Sequence, residues 1–147
     1  MGSTTHMRRD EAQIRMLSEA RVRAVQAKEV PAALGGVDTD VVVFAALTPL
    51  PARGVGAVRA RLEDWVASFD GPLGHQIRAL LIMTAGAVTF SHCLNHDRGT
   101  TRAGALDRRV RATTGDRKRD EEWRMTHERQ STPFDPRRGK ACLDLEP

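Results

Sequence analysis

The stretch Ile77 to Phe90, Ile-Arg-Ala-Leu-Leu-Ile-Met-Thr-Ala-Gly-Ala-Val-Thr-Phe, is the most apolar run in the chain, and Arg78 is its only charged residue. Such a run gains most by leaving water, so the remainder of the fold is expected to pack on it. It is too short to cross a membrane. The uncharged residues from Ala79 to Leu94 number sixteen, with His75, Arg78, His92 and His96 in or beside them, whereas a spanning helix needs about 20.

The periodicity around this run predicts helix. Leu73, Ile77, Leu80, Leu81, Thr84 and Val88 define one face, and Ile82, Met83, Ala85 and Ala87 make the segment apolar nearly all round, the pattern of a helix buried between others. Gly71 and Pro72 suit a helix start, so the helix is placed from Pro72 to about His96. Gly86 in its middle then marks close approach of another backbone. Val55, Val58, Leu62, Trp65, Val66 and Phe69 form one face of a preceding helix, Val55 to Phe69, and the two make an antiparallel helix hairpin. Residues 8 to 29 carry Ile14, Leu17, Ala20, Ala24 and Val25 at spacings of three and four, a third amphipathic helix ended by Pro31 and Gly35-Gly36. The expected fold class is therefore mainly α. The alternative is α/β: Asp38 to Leu47, with three valines and a phenylalanine, has strand propensity and leans to a short strand at 40–47, with part of Ile77 to Phe90 as a neighbouring strand around the Val55 to Phe69 helix. A lone strand cannot satisfy its own backbone, and no convincing partner stands out.

The charge is unevenly spread. Residues 1 to 97 carry ten basic and ten acidic side chains, whereas 98 to 140 carry thirteen basic and seven acidic. Apolar periodicity fades at the same place, so the domain is expected to span residues 7 to 97, with a basic, largely disordered tail over 98 to 147. Met1 to His6 reads as an expression leader, with the native start at Met7. Aromatic residues make up 4% of the chain and tyrosine is absent. The core must then rely on aliphatic side chains, with Phe44, Trp65, Phe69 and Phe90 as its large pieces. A neutral domain this small and this poor in rings is expected to cover its apolar faces with a partner or by forming a homodimer.

Few residues form a chemical constellation. The two cysteines, Cys93 and Cys142, make neither a disulfide framework nor a zinc site, and no apolar leader core is present, so a reducing, cytoplasmic compartment is expected. His92 and His96, four apart, would share a helix face beside Cys93 and Asp97, a spacing suited to a divalent metal if His75, Cys142 or a tail carboxylate supplied a third ligand. Gly54-Val-Gly56 fails as a dinucleotide turn, because prolines separate it from the strand and Arg59 occupies the third glycine position. Adjacent residues on a helix diverge by about 100°, so His92 and Cys93 are no catalytic dyad.

The basic clusters in the tail are the strongest functional feature. Arg108, Arg109, Arg111, Arg117, Lys118 and Arg119 could contact nucleic-acid phosphates or an acidic protein through charge. The expected function is thus a non-enzymatic binding or regulatory protein. The alternatives are a small metal-dependent enzyme built around His92 and His96, and a tail without selected function.

Overall fold

The computed structural model describes residues 2–147, and it is dominated by β-structure. Helix α1 spans Gly2–Gln26, so it begins within the expected leader, of which Met1 alone lies outside the described residues. A short α2, Val30–Ala33, leads into β1, Val37–Phe44, then β2, Ala52–Arg53, and α3, Val55–Ala67. Four long strands follow, β3 at Phe69–Ala85, β4 at Val88–Thr101, β5 at Gly104–Arg119 and β6 at Glu122–Ser131. A small ribbon of β7, Phe134–Asp135, and β8, Lys140–Ala141, ends the chain.

The main sheet has the order β2-β1-β6-β5-β4-β3, with β1 parallel to β6 and every other neighbour antiparallel. Helices α1 and α3 cover one face, α1 against β3 and α3 against β1. The core lies between them and gathers Val25, Leu34, Val41, Val66, Phe69 and Met125. The far end of α1 is pinned to the β5–β6 hairpin, because the buried Asp10 carboxylate accepts from Lys118 Nζ at 2.9 Å and Trp123 Nε1 at 3.1 Å. Burial alone would raise the Asp10 pKa, but the Lys118 and Trp123 hydrogen bonds and the Lys118 charge outweigh it and hold the carboxyl below its ordinary range.

This architecture corrects the mainly α expectation. The amphipathic segments around α1 and α3 are helices, and the Asp38–Leu47 region is a strand, but Pro72 to His96 is not a helix. It is the body of a β-hairpin, β3 and β4, and Gly86 at φ +61 belongs to its turn rather than to a close backbone approach; a Cβ there would meet nothing within 4 Å. The all-round apolarity has a different origin from a buried helix. Inward residues of β3 serve the core, while Leu81, Met83 and Phe90 stay 43%, 50% and 44% exposed on the outer face.

The basic, disordered tail is likewise corrected. Residues 104 to 131 form two central strands, and their backbone groups are paired along β4, β5 and β6. The domain therefore runs through position 97 without a boundary. Among the described residues no helix is long and apolar enough to cross a membrane.

Candidate active site

Between α1, α3 and the inner face of the sheet lies a cavity of about 220 Å³. Its wall is mainly apolar, with Val22 from α1, Leu62 and Trp65 from α3, Val43 from β1, and Ile77 and Leu80 from β3. These positions follow the local pattern. On α3 the spacing Val58, Leu62, Trp65 turns one stripe inward, and on a strand alternate residues share a face.

On this wall sits a polar triad built from three strands' worth of sequence. The Nδ1–H of His75 on β3 donates to Oδ1 of Asp97 on β4 at 2.6 Å, and Nε of Arg108 on β5 donates to Oδ2 of the same carboxylate at 3.1 Å. Asp97 is only 3% exposed, so both its oxygens are engaged out of water. The Trp65 ring closes the group from above. Its centroid lies 6.3 Å from that of His75, in an edge arrangement, and 5.6 Å from the Arg108 guanidinium carbon. With Nδ1 held as donor, the neutral imidazole keeps its lone pair on Nε2. Nε2 has no hydrogen-bond partner among the described residues.

A backbone irregularity puts His75 there. Leu81 pairs with His92, but Arg78 pairs with Leu94, so one residue is inserted in β3 between them, and Ala79 takes φ +52. A bulge reverses which face the residues before it present. Beyond the bulge, Leu81 and Met83 point outward; before it, His75 and Ile77 point into the cavity.

A second polar group lines the cavity from α1 and β6. Arg21 from α1 approaches Glu128 on β6 at 3.6 Å and donates to Met125 Sδ at 3.0 Å. Nearby, Thr89 Oγ1 donates to the buried Asp116 at 3.2 Å. Burial pushes the Asp116 carboxyl up, against the opposing pull of Arg21 and the Thr89 hydrogen bond. Cys93, whose Sγ donates to Asn95 Oδ1 at 3.4 Å, is pushed up to about 11, first by burial and then by the Glu128 charge.

The residues singled out from sequence are redistributed. Strand alternation sends Cys93 and Asp97 into the cavity with Ser91 and Asn95, while His92 and His96 lie on the opposite face. There His96 Nε2–H donates to Asp107 at 2.7 Å, and His92 sits beside Phe90 with ring centroids 6.3 Å apart. Among the described residues no group of three or more His, Cys, Asp or Glu side chains converges on a metal position.

Of the basic residues expected to bind phosphate, Arg108 is part of the cavity. Arg109 pairs with Glu146 at 2.8 Å, Arg111 donates to Ser131 at 3.2 Å, Lys118 is held by Asp10, and Arg119 lies 3.4 Å from Asp38. Arg117 is exposed opposite Arg124 in the β5–β6 ladder. The cluster that reads as one basic surface is thus divided between two faces of a sheet and largely engaged by the protein's own groups. Sequence reasoning missed the pairing of His75 with Asp97 and the role of Trp65 as a cavity wall. The available signal was Gly86, since folding the chain back on it as a hairpin brings positions 75 and 97 together.

The fold has known relatives. A family model described as a SnoaL-like domain matches residues 13–135. An NTF2-like protein of unknown function from Pseudomonas putida is 30% identical, with a TM-score of 0.88 over 96% of this chain and 99% of that one. More distant structures share the fold alone. They include a proposed dehydratase of the NTF2-like family from Streptomyces avermitilis, with 13% identity and a TM-score of 0.74 over 86% and 98% of the two chains. A ketosteroid isomerase-like protein from Erwinia carotovora atroseptica has 16% identity and a TM-score of 0.69 over 82% and 93%. No curated protein matches the chain.

Proposed function

The chain belongs to the SnoaL-like family, and from that premise we propose that it binds a small, largely apolar organic molecule in the cavity and catalyses proton transfer on it, as in isomerisation or dehydration next to a carbonyl. The observation that carries this reading is the 2.6 Å contact between His75 and Asp97 on the wall of an apolar cavity. Nε2 of His75 takes a proton from carbon, leaving the electron pair to delocalise onto the neighbouring carbonyl. The imidazolium so formed is stabilised by the Asp97 side chain, whose other oxygen accepts from Arg108. The proton then returns to a different carbon, giving an isomer, or to a departing hydroxyl, giving water and an alkene. A positioned base of this kind contributes about 10²- to 10⁴-fold in rate. The names of the dehydratase-like and ketosteroid isomerase-like proteins of the same fold fit this chemistry.

The experiment is a panel of small ketones and β-hydroxy ketones in D2O, followed by NMR with the wild type and His75→Gln. The expected result is faster carbon–hydrogen exchange or water loss for at least one compound, abolished by the substitution. Equal rates for the two proteins would overturn it. A second reading, carriage of a ligand without chemistry, is favoured by the mostly apolar wall, and it predicts binding of the same compounds with no exchange.

A further inference from the structure

The cavity contains more positive charge than its own carboxylates neutralise. Three arginines line it, Arg21, Arg61 and Arg108, against two carboxylates, Asp97 and Glu128. Arg108 is matched to Asp97 and Arg21 approaches Glu128. Arg61 on α3 is different. Its Nη2 donates to the backbone carbonyl of Leu47 at 3.2 Å, its Nη1 is buried without a hydrogen-bond partner, and among the described residues it forms no ion pair. The two acidic residues that follow it on the helix, Glu63 and Asp64, are exposed. A guanidinium nitrogen removed from water and left without an acceptor is unfavourable, and the Leu47 contact holds the group in that position instead of releasing it to solvent.

From this imbalance we infer that Arg61 is the anion-recognition residue of the cavity, and that the natural ligand is a small apolar carboxylate. Its hydrocarbon body lies against Leu62, Trp65 and Ile77, and its carboxylate accepts from the Arg61 fork. A planar carboxylate fits because guanidinium presents parallel N–H groups, which a single carbonyl oxygen cannot use equally well. Arg61 and Trp65 are four apart on α3 and so lie one above the other on one face. Trp65 in turn packs edge-on against His75. The bound carboxylate is therefore about one helical turn along the wall from the base, a separation suited to an acid whose reacting carbon lies a few bonds from its carboxyl carbon. This names the substrate class of the proton-transfer site and rests on that reading only for the position of the reacting carbon.

The test compares matched neutral and anionic probes by isothermal titration calorimetry, phenylacetate against phenylacetamide and octanoate against octanamide. The proteins are the wild type, Arg61→Gln, Arg61→Lys and His75→Gln, each checked for folding by circular dichroism. The wild type is expected to favour at least one carboxylate over its amide by about tenfold or more, the usual scale for a charge-assisted hydrogen bond. Arg61→Gln should erase the preference while leaving amide binding in place, Arg61→Lys should retain part of it, and His75→Gln should leave it unchanged. Equal affinities for both members of every pair in the wild type would overturn the inference, as would a preference that survives in Arg61→Gln. If Arg61→Gln does not fold, a preference in Arg61→Lys equal to that of the wild type at high salt and low salt alike overturns it. The two proposals fail separately. A carboxylate preference that depends on Arg61, in a protein whose exchange rates ignore His75, removes the proton-transfer reading and keeps the anion site.

Discussion

His75 and Asp97 lie opposite each other in the β3–β4 ladder, 22 residues apart in sequence and 2.6 Å apart between Nδ1 and Oδ1. Asp97 sets the tautomer of the histidine, and Arg108 keeps the carboxylate facing it. Asp97→Asn preserves the shape of the group and removes its ability to accept from both neighbours. His75-dependent proton exchange is expected to fall about 10²-fold or more, while the circular dichroism spectrum stays that of the wild type.

The bulge at Ala79 is the device that turns His75 inward, and its backbone is strained for a residue with a Cβ. Ala79→Gly removes the left-handed penalty, worth about 1 kcal/mol, and should raise the melting temperature without altering ligand binding. Deleting Ala79 restores regular pairing and should send His75 and Ile77 to the outer face. In that variant strand content persists in circular dichroism and His75-dependent exchange disappears.

Gly99 on β4 faces the start of β3 with no room for a side chain. A Cβ there would lie 2.7 Å from Phe69 Cδ1 and 3.0 Å from the Pro72 carbonyl oxygen. Gly99→Ala should destabilise the protein by about 1–3 kcal/mol. Thermal unfolding checks it, with a fall of roughly 2–4 °C expected per kcal/mol for a chain of this size.

Cys93 is protected by its surroundings. With the thiol pushed up to about 11, only about one part in a thousand is thiolate at pH 8. Alkylation by iodoacetamide at pH 8, mapped by mass spectrometry, should be slow at Cys93 in the folded protein and fast after denaturation. Rapid labelling of the native protein would contradict the burial of this thiol.

Asp116 supplies a pH dependence of definite sign. Its folded-state pKa is raised, chiefly by burial, so the native state holds a proton that the unfolded chain releases near pH 4. Stability from this group is present below about pH 4 and is lost as pH rises through the folded value. Asp116→Asn, which can still accept from Thr89, should therefore gain stability over the wild type at pH 7 and gain less at pH 4, measured as the difference in melting temperature.

The parts of the fold that could be read from the chain alone are those whose stabilisation is local. The stripes on α1 and α3 recur every three or four residues because a helix bonds to itself, and the valines of β1 declare a buried strand by their type. The stripe Val58, Leu62 and Trp65 was legible as one inward helix face for the same reason, but not that it walls a cavity. The long strands were not. A strand bonds to partners far along the chain, so β5 and β6 can be rich in arginine and acidic residues provided each finds its ladder and its counterion, as Lys118 finds Asp10 and Arg108 finds Asp97. In β3 and β4 both faces have uses, one for the cavity and one apolar and exposed, and the alternation that marks a half-buried strand is lost. The run from Ile77 to Phe90 therefore determined that something must pack there. Whether it was helix or hairpin, and which of His75, His92 and His96 would meet Asp97, was decided by tertiary structure, through strand register and one inserted residue, because a shift of one position turns every side chain to the other face.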